Sequence, residues 1–518
     1  MITFMLWGLL ITVISFAYRW AGLQYNSPFW VDEFSSAHQS ILLTKHGLSA
    51  FTNPSLGIDL HNSLSHLLIA GSFGLFGPHE WSARLPFVII GSMVPAAVFL
   101  FTRYVFSLPV ALSATLLSMT SYILITWSRQ ARGYVLQQLL VIISLYLYLR
   151  LLKKKSTKTL ILFFVTALLG IATHFMFFVL LGTLLLHYFL FKRNEFKTNV
   201  IKNKLTYLIL PPLTFALYKT GFFTIVNEVV LTNLFRTSNL WYYHSFLWRE
   251  YGLFIFLGLV GLFIALPKAK RTVSLLLLYI GAQILFVSYF WPPYTSRYLL
   301  PIIPLLFIGT AWSINYLCLG FTSQLSRFKK PLQVFLPVAV TLAIIVNGHK
   351  FTLKPQIYYS VDHDFREIAL IDYSQVYNII KSKGQLEKGQ TAVIDTWHDR
   401  LYWYLGQDFP DPYLFRWINE EGLINGLPKL TTYKINAQGE KYIPDSKHLL
   451  IVGELKDLKL AMAKYPRGFI FIDDASLPKE VLDYVQTNLK KELYLDHYPL
   501  DDNPYSIWPA TLYSWGIK

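Results

Sequence analysis

The sequence predicts an α-helical polytopic membrane protein of about eleven transmembrane helices, with a soluble α/β domain at its C-terminal end. Three observations predict it. Hydrophobic residues fill 54% of the 518 positions and charged residues only 15%, against about 25% charged in ordinary soluble domains. The basic residues gather in short clusters between long apolar runs, which is how membrane topology is written. From about His349 the apolar runs stop and charges become frequent.

A crossing helix needs about 20 apolar residues, fewer if its ends snorkel. The runs that qualify are 3–19, 86–102, 108–127, 133–152, 158–173, 175–191, 205–220, 251–266, 272–290, 298–317 and 332–347. The stretch 159–191 is too long for one span, and Thr173-His174 marks the turn inside it. The first run carries no small-x-small cleavage site after it and reads as a retained helix.

The basic clusters set direction. Lys153–Lys155 with Lys158, then Lys192, Arg193, Lys197, Lys202 and Lys204, then Lys268, Lys270 and Arg271, then Arg327, Lys329 and Lys330 all fall on one side, and Arg103 joins them. That side is cytoplasmic. Leu64 to Phe76 is too short to cross and would break this parity, so it reads as an interfacial helix in a long external loop. The N-terminus is then inside. Outside lie 21–85, 128–132, 221–250, 291–297 and the tail from 348. The domain division follows: 1–348 is the membrane module, with external loop 21–85, and 349–518 is the extracytoplasmic domain. In that tail Thr391–Ile394, His448–Val452 and Gly468–Ile472 read as buried strands, and 374–383, 455–464 and 479–491 as helices. The alternation predicts a largely parallel sheet.

The formal charge of +16 is not patterned as a nucleic-acid surface, because it is dispersed among the spans. The single cysteine, Cys318, excludes an internal disulfide. No phosphate-binding glycine loop, metal-spaced Cys/His cluster or nucleophile elbow occurs in the tail. Its aromatic residues Trp397, Tyr402, Trp403, Tyr404 and Trp417 suit either an acceptor site or core packing.

Chemistry concentrates in the external loops. Asp32 and Glu33 stand in an aromatic setting, Phe29-Trp30-Val31-Asp32-Glu33-Phe34. Burial of adjacent carboxylates raises at least one pKa toward proton transfer, whereas a solvated interfacial turn would leave them ordinary. Asp59 and His61, two apart, suit a divalent cation or a mutual hydrogen bond, and equally a plain loop. Arg129 and Arg132 lie three apart beyond the third span, and Arg297 precedes Tyr298-Leu299-Leu300-Pro301. Three external arginines run against the topology rule and suit a phosphate at headgroup depth, or lipid anchoring. His174 reads as a polar turn residue. Trp241, Tyr242 and His244 in the 221–250 loop read as an aromatic belt or a sugar platform.

Taken in order, these motifs resemble the GT-C superfamily of membrane glycosyltransferases, in the branch of bacterial relatives of protein O-mannosyltransferases and of the lipid A aminoarabinose transferase. Asp32-Glu33 matches the family's Asp-Glu pair in the first external loop. Asp59-Leu60-His61 is similar to its Asp-x-His-Pro-Pro segment, with Asn62-Ser63 in place of the prolines. Arg84-Leu85-Pro86 resembles the Arg-Leu-Pro that opens its second span. Arg132 and Tyr134 match a Glu-Ala-Arg-x-Tyr segment in which Gln130 replaces the acid, and Arg297-Tyr298-Leu299-Leu300-Pro301 matches a late Arg-Tyr-Leu-Leu-Pro. The resemblance covers about 1–320. It implies an inverting transfer of a hexosyl or pentosyl group from a polyprenyl-phosphate donor to a glycan, lipid or protein acceptor, in a cell inner membrane. Asp32 would be the general base with Glu33 beside it, and Arg129, Arg132, Arg297 and His61 would hold the donor phosphate. A divalent metal at Asp59 and His61 is compatible but not required, and no nucleic acid is involved. A flippase of lipid-linked sugars, a surface-glycan polymerase or ligase, and a non-catalytic scaffold are the rival classes.

Overall fold

The computed structural model describes the chain outside residues 1, 54–55, 57, 59–61, 155, 197–217, 219–222, 224–225, 232–237, 292–293, 323–328, 349, 355–370, 385, 387–388, 407–408, 410–411, 417, 419–432, 445–448, 474–476, 497–509 and 518. The chain divides into two compact units. The first holds Met1–Leu23, Leu60–Leu68 and Arg84–Tyr359, and the second Gln24–Asp59, Ile69–Ala83 and Ser360–Lys518.

In the first unit α1 spans Ile2–Trp20. After α2 (Val31–His46), which belongs to the second unit, and α3 (Ser63–Phe76) come α4 (Glu80–Val105), α5 (Leu108–Thr120), α6 (Tyr122–Ser128), α7 (Tyr134–Lys153), α8 (Thr157–Thr173) and α9 (Phe177–Phe191). Further on lie α10 (Leu240–Ala265), α11 (Lys270–Tyr289), α12 (Ile303–Thr322) and α13 (Lys329–Asn347). Among the described residues, six of these helices are long and apolar enough to cross a membrane, and α3, α5, α8, α9 and most of α13 are shorter apolar helices. Ten of the eleven expected spans coincide with them; the eleventh, 205–220, lies outside the described residues except for Tyr218. At 14 residues α3 rises only about 21 Å, short of a roughly 30 Å hydrocarbon core. The chain turns at His174 as expected, with extended backbone (φ −164°, ψ 134°) between α8 and α9.

Three spans differ from expectation, each for a local reason. The run 108–127 breaks at Ser121, where the Tyr122 N–H donates to the Lys350 carbonyl (2.9 Å) and the Thr352 N–H to that of Thr120 (2.9 Å). The helix expected at 298 begins at Ile303, because Ser296–Leu299 is a 3-10 turn ahead of Pro301 and Pro304. The helix expected at 251 begins at Leu240 and carries a kink at Tyr251 (φ −141°, ψ 26°), so residues 240–250 are helical and not loop.

With lipid as solvent, helices associate through close backbone approach. The pair α10 and α12 shows it. A Cβ on Gly261 would lie 1.9 Å from the Gly309 carbonyl oxygen, and one on Gly309 2.1 Å from that of Gly258. Thr310 and Ser313 hydroxyls donate to the Phe254 and Leu257 carbonyls, each at 2.7 Å.

The second unit contains an eight-stranded sheet in the order β3-β4-β5-β2-β1-β6-β8-β7. Its strands are β1 Thr391–Asp395, β2 Pro412–Phe415, β3 Lys434–Ile435, β4 Lys441–Ile443, β5 Leu449–Val452, β6 Arg467–Ile472, β7 Lys490–Leu495 and β8 Ala510–Trp515. Only β5-β2-β1-β6 are parallel; the flanking pairs are antiparallel. The expectation of a largely parallel sheet thus holds at the centre and fails at the edges: β3 and β4, of two and three residues, carry little sequence signal, and the longer β7 and β8 pair antiparallel. Ala392 and Ile394 of β1 and Ile470 of β6 pack with Leu458, Val481 and Val485 from α16 (Leu455–Lys464) and α17 (Lys479–Asn488). The helix expected over 479–491 stops at Asn488, since Lys490–Leu495 pairs with β8. Alternate side chains of a strand face opposite ways, and Asp395 takes a hydrogen bond from Tyr377 of α14 (Tyr373–Lys383). The central strands are covered on both faces, as parallel strands require.

Candidate functional site

In the second unit the chain is extended through Trp30 (φ −91°, ψ 171°) and α2 starts at Val31, placing Asp32 and Glu33 in its first turn. Unpaired N–H groups and the helix dipole favour carboxylates there. The structure then separates the two acids. Glu33 is fully buried, at 0% exposure, and its carboxylate accepts from the Trp30 backbone N–H at 3.5 Å. Asp32 is half-buried. Glu33 caps the helix, and Asp32 is the acid that reaches solvent.

The turn is held by aromatic packing from α15 (His398–Leu405). Phe29 lies 4.9 Å from Trp403 and 5.6 Å from Phe34, Phe34 lies 5.9 Å from Tyr404, and His38 stacks on Tyr402 at 5.3 Å. The Tyr404 hydroxyl donates to Glu80 (3.1 Å), and burial first, then the nearby Glu80 charge, hold its pKa well above the ordinary value. Tyr402, Trp403 and Tyr404 are thus packing groups for the Asp-Glu helix. Trp397 lies under the Arg416 guanidinium at 4.0 Å; Trp417 lies outside the described residues.

α15 is anchored in turn by a buried ion network. Arg400 pairs with Asp395 and, at 2.5 Å, with Asp473, and the Thr396 hydroxyl donates to Asp473 at 2.5 Å. Burial alone would lower the Arg400 pKa, but the two carboxylates outweigh it and hold it raised.

In the first unit the three arginines take two different positions. Arg129 is fully buried, and its guanidinium donates to the carbonyls of Arg19 (2.8 Å) and Ala21 (2.7 Å) at the end of α1. Helix C-terminal carbonyls lack internal partners, so this is a cap. Arg132 and Arg297, 165 positions apart in sequence, share one aromatic ring: their guanidinium carbons lie 5.7 and 5.1 Å from the Tyr134 centroid. Arg297 also lies 5.5 Å from the Tyr298 ring. The His174 ring is 5.5 Å from Tyr134 and 6.1 Å from Tyr298. Its Nδ1 accepts from the Met176 N–H at 3.2 Å, so neutral His174 carries its proton on Nε2.

Local structure explains these positions. Gly133 precedes α7 where a Cβ would meet the Ser65 hydroxyl at 2.2 Å. The 3-10 turn bearing Arg297 is pinned by amides in neighbouring spans: Gln283 donates to the Tyr298 carbonyl (2.9 Å) and Gln138 to that of Leu300. Such backbone groups must find protein partners at membrane depth. Trp241 and Tyr242 sit on α10 and contact Tyr294 at 5.6 and 5.1 Å. Trp241 is 61% exposed and His244 is exposed too. Asp59 and His61 lie outside the described residues, and no group of three His, Cys, Asp or Glu side chains suited to a metal occurs among those described. His174, Tyr134, Tyr298 and the two glutamines were not singled out as site residues from the sequence. Gln138 and Gln283 carried a usable signal, as amides inside apolar spans.

Comparison with known proteins agrees with this architecture. Residues 61–218 match the family described as dolichyl-phosphate-mannose-protein mannosyltransferase. No curated protein sequence matches. The crystal structure of ArnT from Cupriavidus metallidurans in the apo state is similar over 99% of this chain and 97% of that one, with a TM-score of 0.59 at 12% identity. The same protein bound to undecaprenyl phosphate gives a TM-score of 0.55 at 12% identity over the same shares of both chains. The resemblance read from the motifs is borne out at the level of fold: this chain shares the architecture of the ArnT structures, with long apolar helices and a C-terminal sheet domain.

Proposed function

We propose that the protein is an inverting glycosyltransferase that takes a hexosyl or pentosyl group from a polyprenyl-phosphate donor and passes it to a glycan, lipid or protein hydroxyl on the extracytoplasmic face. It does so in a cell inner membrane, with its N-terminus cytoplasmic and its sheet domain outside. The carrying observation is the convergence of Arg132 and Arg297 on Tyr134, with His174 on the same ring. Two guanidiniums held in one place match a phosphate better than a neutral sugar.

In the reaction the acceptor oxygen forms the new bond to the anomeric carbon while that carbon's bond to the phosphate oxygen breaks. The acceptor proton passes to Asp32, and the polyprenyl phosphate leaves with the electron pair. Arg132 and Arg297 stabilise its growing charge, which is electrostatic catalysis by preplaced donors. Glu33 fixes the first turn that presents Asp32, and Arg129 fixes the loop that presents Arg132. The exposed Trp241 and His244, with the half-buried Tyr242, are the surface offered to a sugar or acceptor. His61 belongs to the donor-phosphate region by motif; a divalent ion at Asp59 and His61 is compatible and no step needs it.

The test uses proteoliposomes supplied with a radiolabelled sugar on polyprenyl phosphate and membrane extract as acceptor. Transfer by wild type and its loss in Asp32→Asn and Arg297→Ala supports the proposal. Movement of lipid-linked sugar between leaflets without transfer would replace it with a transporter.

A further inference from the structure

A cavity of about 960 Å³ opens in the first unit among α1, α4, α7 and α8. Gly8, Ala97, Leu100, Leu139, Ile143 and Leu162 line it; the bare Gly8 and the single methyl of Ala97 leave the hollow. Leu100 and Leu162 are exposed, so the groove opens sideways, onto the face that lipid chains cover. Its size stands near the top of the roughly 300–1,000 Å³ typical of ligand pockets.

One end of the groove is different. Arg103, Tyr104 and Tyr146 line it there. Lys153 Nζ lies 4.7 Å from the Tyr104 ring and the Arg150 guanidinium 5.7 Å from the Tyr146 ring, and the two rings meet edge to face at 5.1 Å. Three cations therefore ring this end, and none of the described lining residues is acidic. Cationic side chains beside an apolar hollow complement an amphiphile with an anionic phosphate head. This end is separate from the arginine pair at Tyr134. Tyr134 and Lys153 stand at opposite ends of α7, about 28 Å apart by helix rise.

We infer that this groove binds an anionic glycerophospholipid of the bilayer, with an acyl chain in the hollow and the phosphate against Arg103, Arg150 and Lys153. The charge pattern selects the occupant, because the basic end lies on the side that the Lys/Arg clusters mark as cytoplasmic, away from the donor phosphate.

The test is native mass spectrometry of the full chain in neutral detergent, titrated with phosphatidylglycerol or phosphatidylcholine. Wild type should retain one phosphatidylglycerol at a concentration at least tenfold below that needed for phosphatidylcholine. Arg150→Gln/Lys153→Gln, at two exposed positions, should abolish that preference. Ile143→Trp, which fills the hollow, should remove retention of both lipids. Equal retention of the two lipids by wild type, an unchanged preference in the charge variant, or unchanged retention in Ile143→Trp overturns the inference. So does displacement of phosphatidylglycerol by undecaprenyl phosphate at equal concentration, which would make the groove a prenyl-lipid site.

Discussion

Removal of the Arg297 guanidinium is the sharpest perturbation available. Arg297 and Arg132 lie 5.1 and 5.7 Å from the same ring, so a phosphate that meets one is near the other. Loss of one preplaced donor from a developing oxyanion costs about 2.7–4 kcal/mol, or roughly 10²–10³ in kcat. Arg297→Ala should therefore cut kcat about 100-fold or more. Arg297→Lys keeps the charge but loses the fork, and should fall between that variant and wild type. Arg132→Ala should resemble Arg297→Ala. Because both act on one group, the double variant should depart from the product of the single effects, with a coupling of about 0.5–3 kcal/mol. The assay is initial-rate transfer in proteoliposomes, with donor varied to separate kcat from KM. A rise in KM with unchanged kcat would mean uniform donor binding and no transition-state role. Strict multiplicativity in the double variant would mean that the two arginines do not act on one phosphate. Either result refutes the reasoning.

Asp32→Asn should insert and fold normally yet lose transfer about 10²–10⁴-fold, the usual span for a lost general base; retained transfer would remove Asp32 from that role. Glu33→Ala should instead lower thermal stability by about 1 kcal/mol through loss of the cap, read as a fall in unfolding midpoint. Arg400→Met leaves Asp395 and Asp473 buried without their cation and should destabilise the second unit by about 3–5 kcal/mol, measured by denaturant unfolding; a neutral outcome would mean the network is dispensable. Glu440 supplies a pH prediction. Burial alone would raise its pKa, but hydrogen bonds from Lys464, Asn436 and Tyr413 outweigh that and hold it low. A carboxylate lowered on folding stabilises above its unfolded pKa, near 4.3, and that contribution fades as pH falls through the folded value. Lys464 is 44% exposed, so the loss on acidification should be below about 1 kcal/mol and smaller still in Lys464→Met, where only the Asn436 and Tyr413 bonds remain.

Much of the membrane unit was legible in the sequence, because a span is a composition averaged over about 20 residues. The break at Ser121 was not, since it depends on hydrogen bonds with residues 350–352, more than two hundred positions away. The sheet edges were hidden for a related reason: strands as short as Lys434–Ile435 carry no period of their own. In the candidate site, Asp32, Arg129, Arg132 and Arg297 stood out as charges where charge is costly. Their different positions did not. Nothing local distinguishes Arg129, which caps α1, from Arg132, three positions later on the Tyr134 ring. Likewise Glu33 and Asp32 are neighbours of one chemistry, and only helix geometry buries the first.

The contact between Gly258, Gly261 and Gly309 bears on how such a protein can diverge. Where backbone meets backbone, only the smallest residues are admissible, and a larger one displaces a whole helix. At exposed positions on the apolar helices, such as Phe263, Leu317 and Phe321, any apolar side chain of ordinary size serves equally well. Mutational drift is then free over much of the outer surface and confined to a few contact points and pinning amides. A chain built this way can share its architecture with another that matches it at few positions, as it does with the Cupriavidus protein at 12% identity.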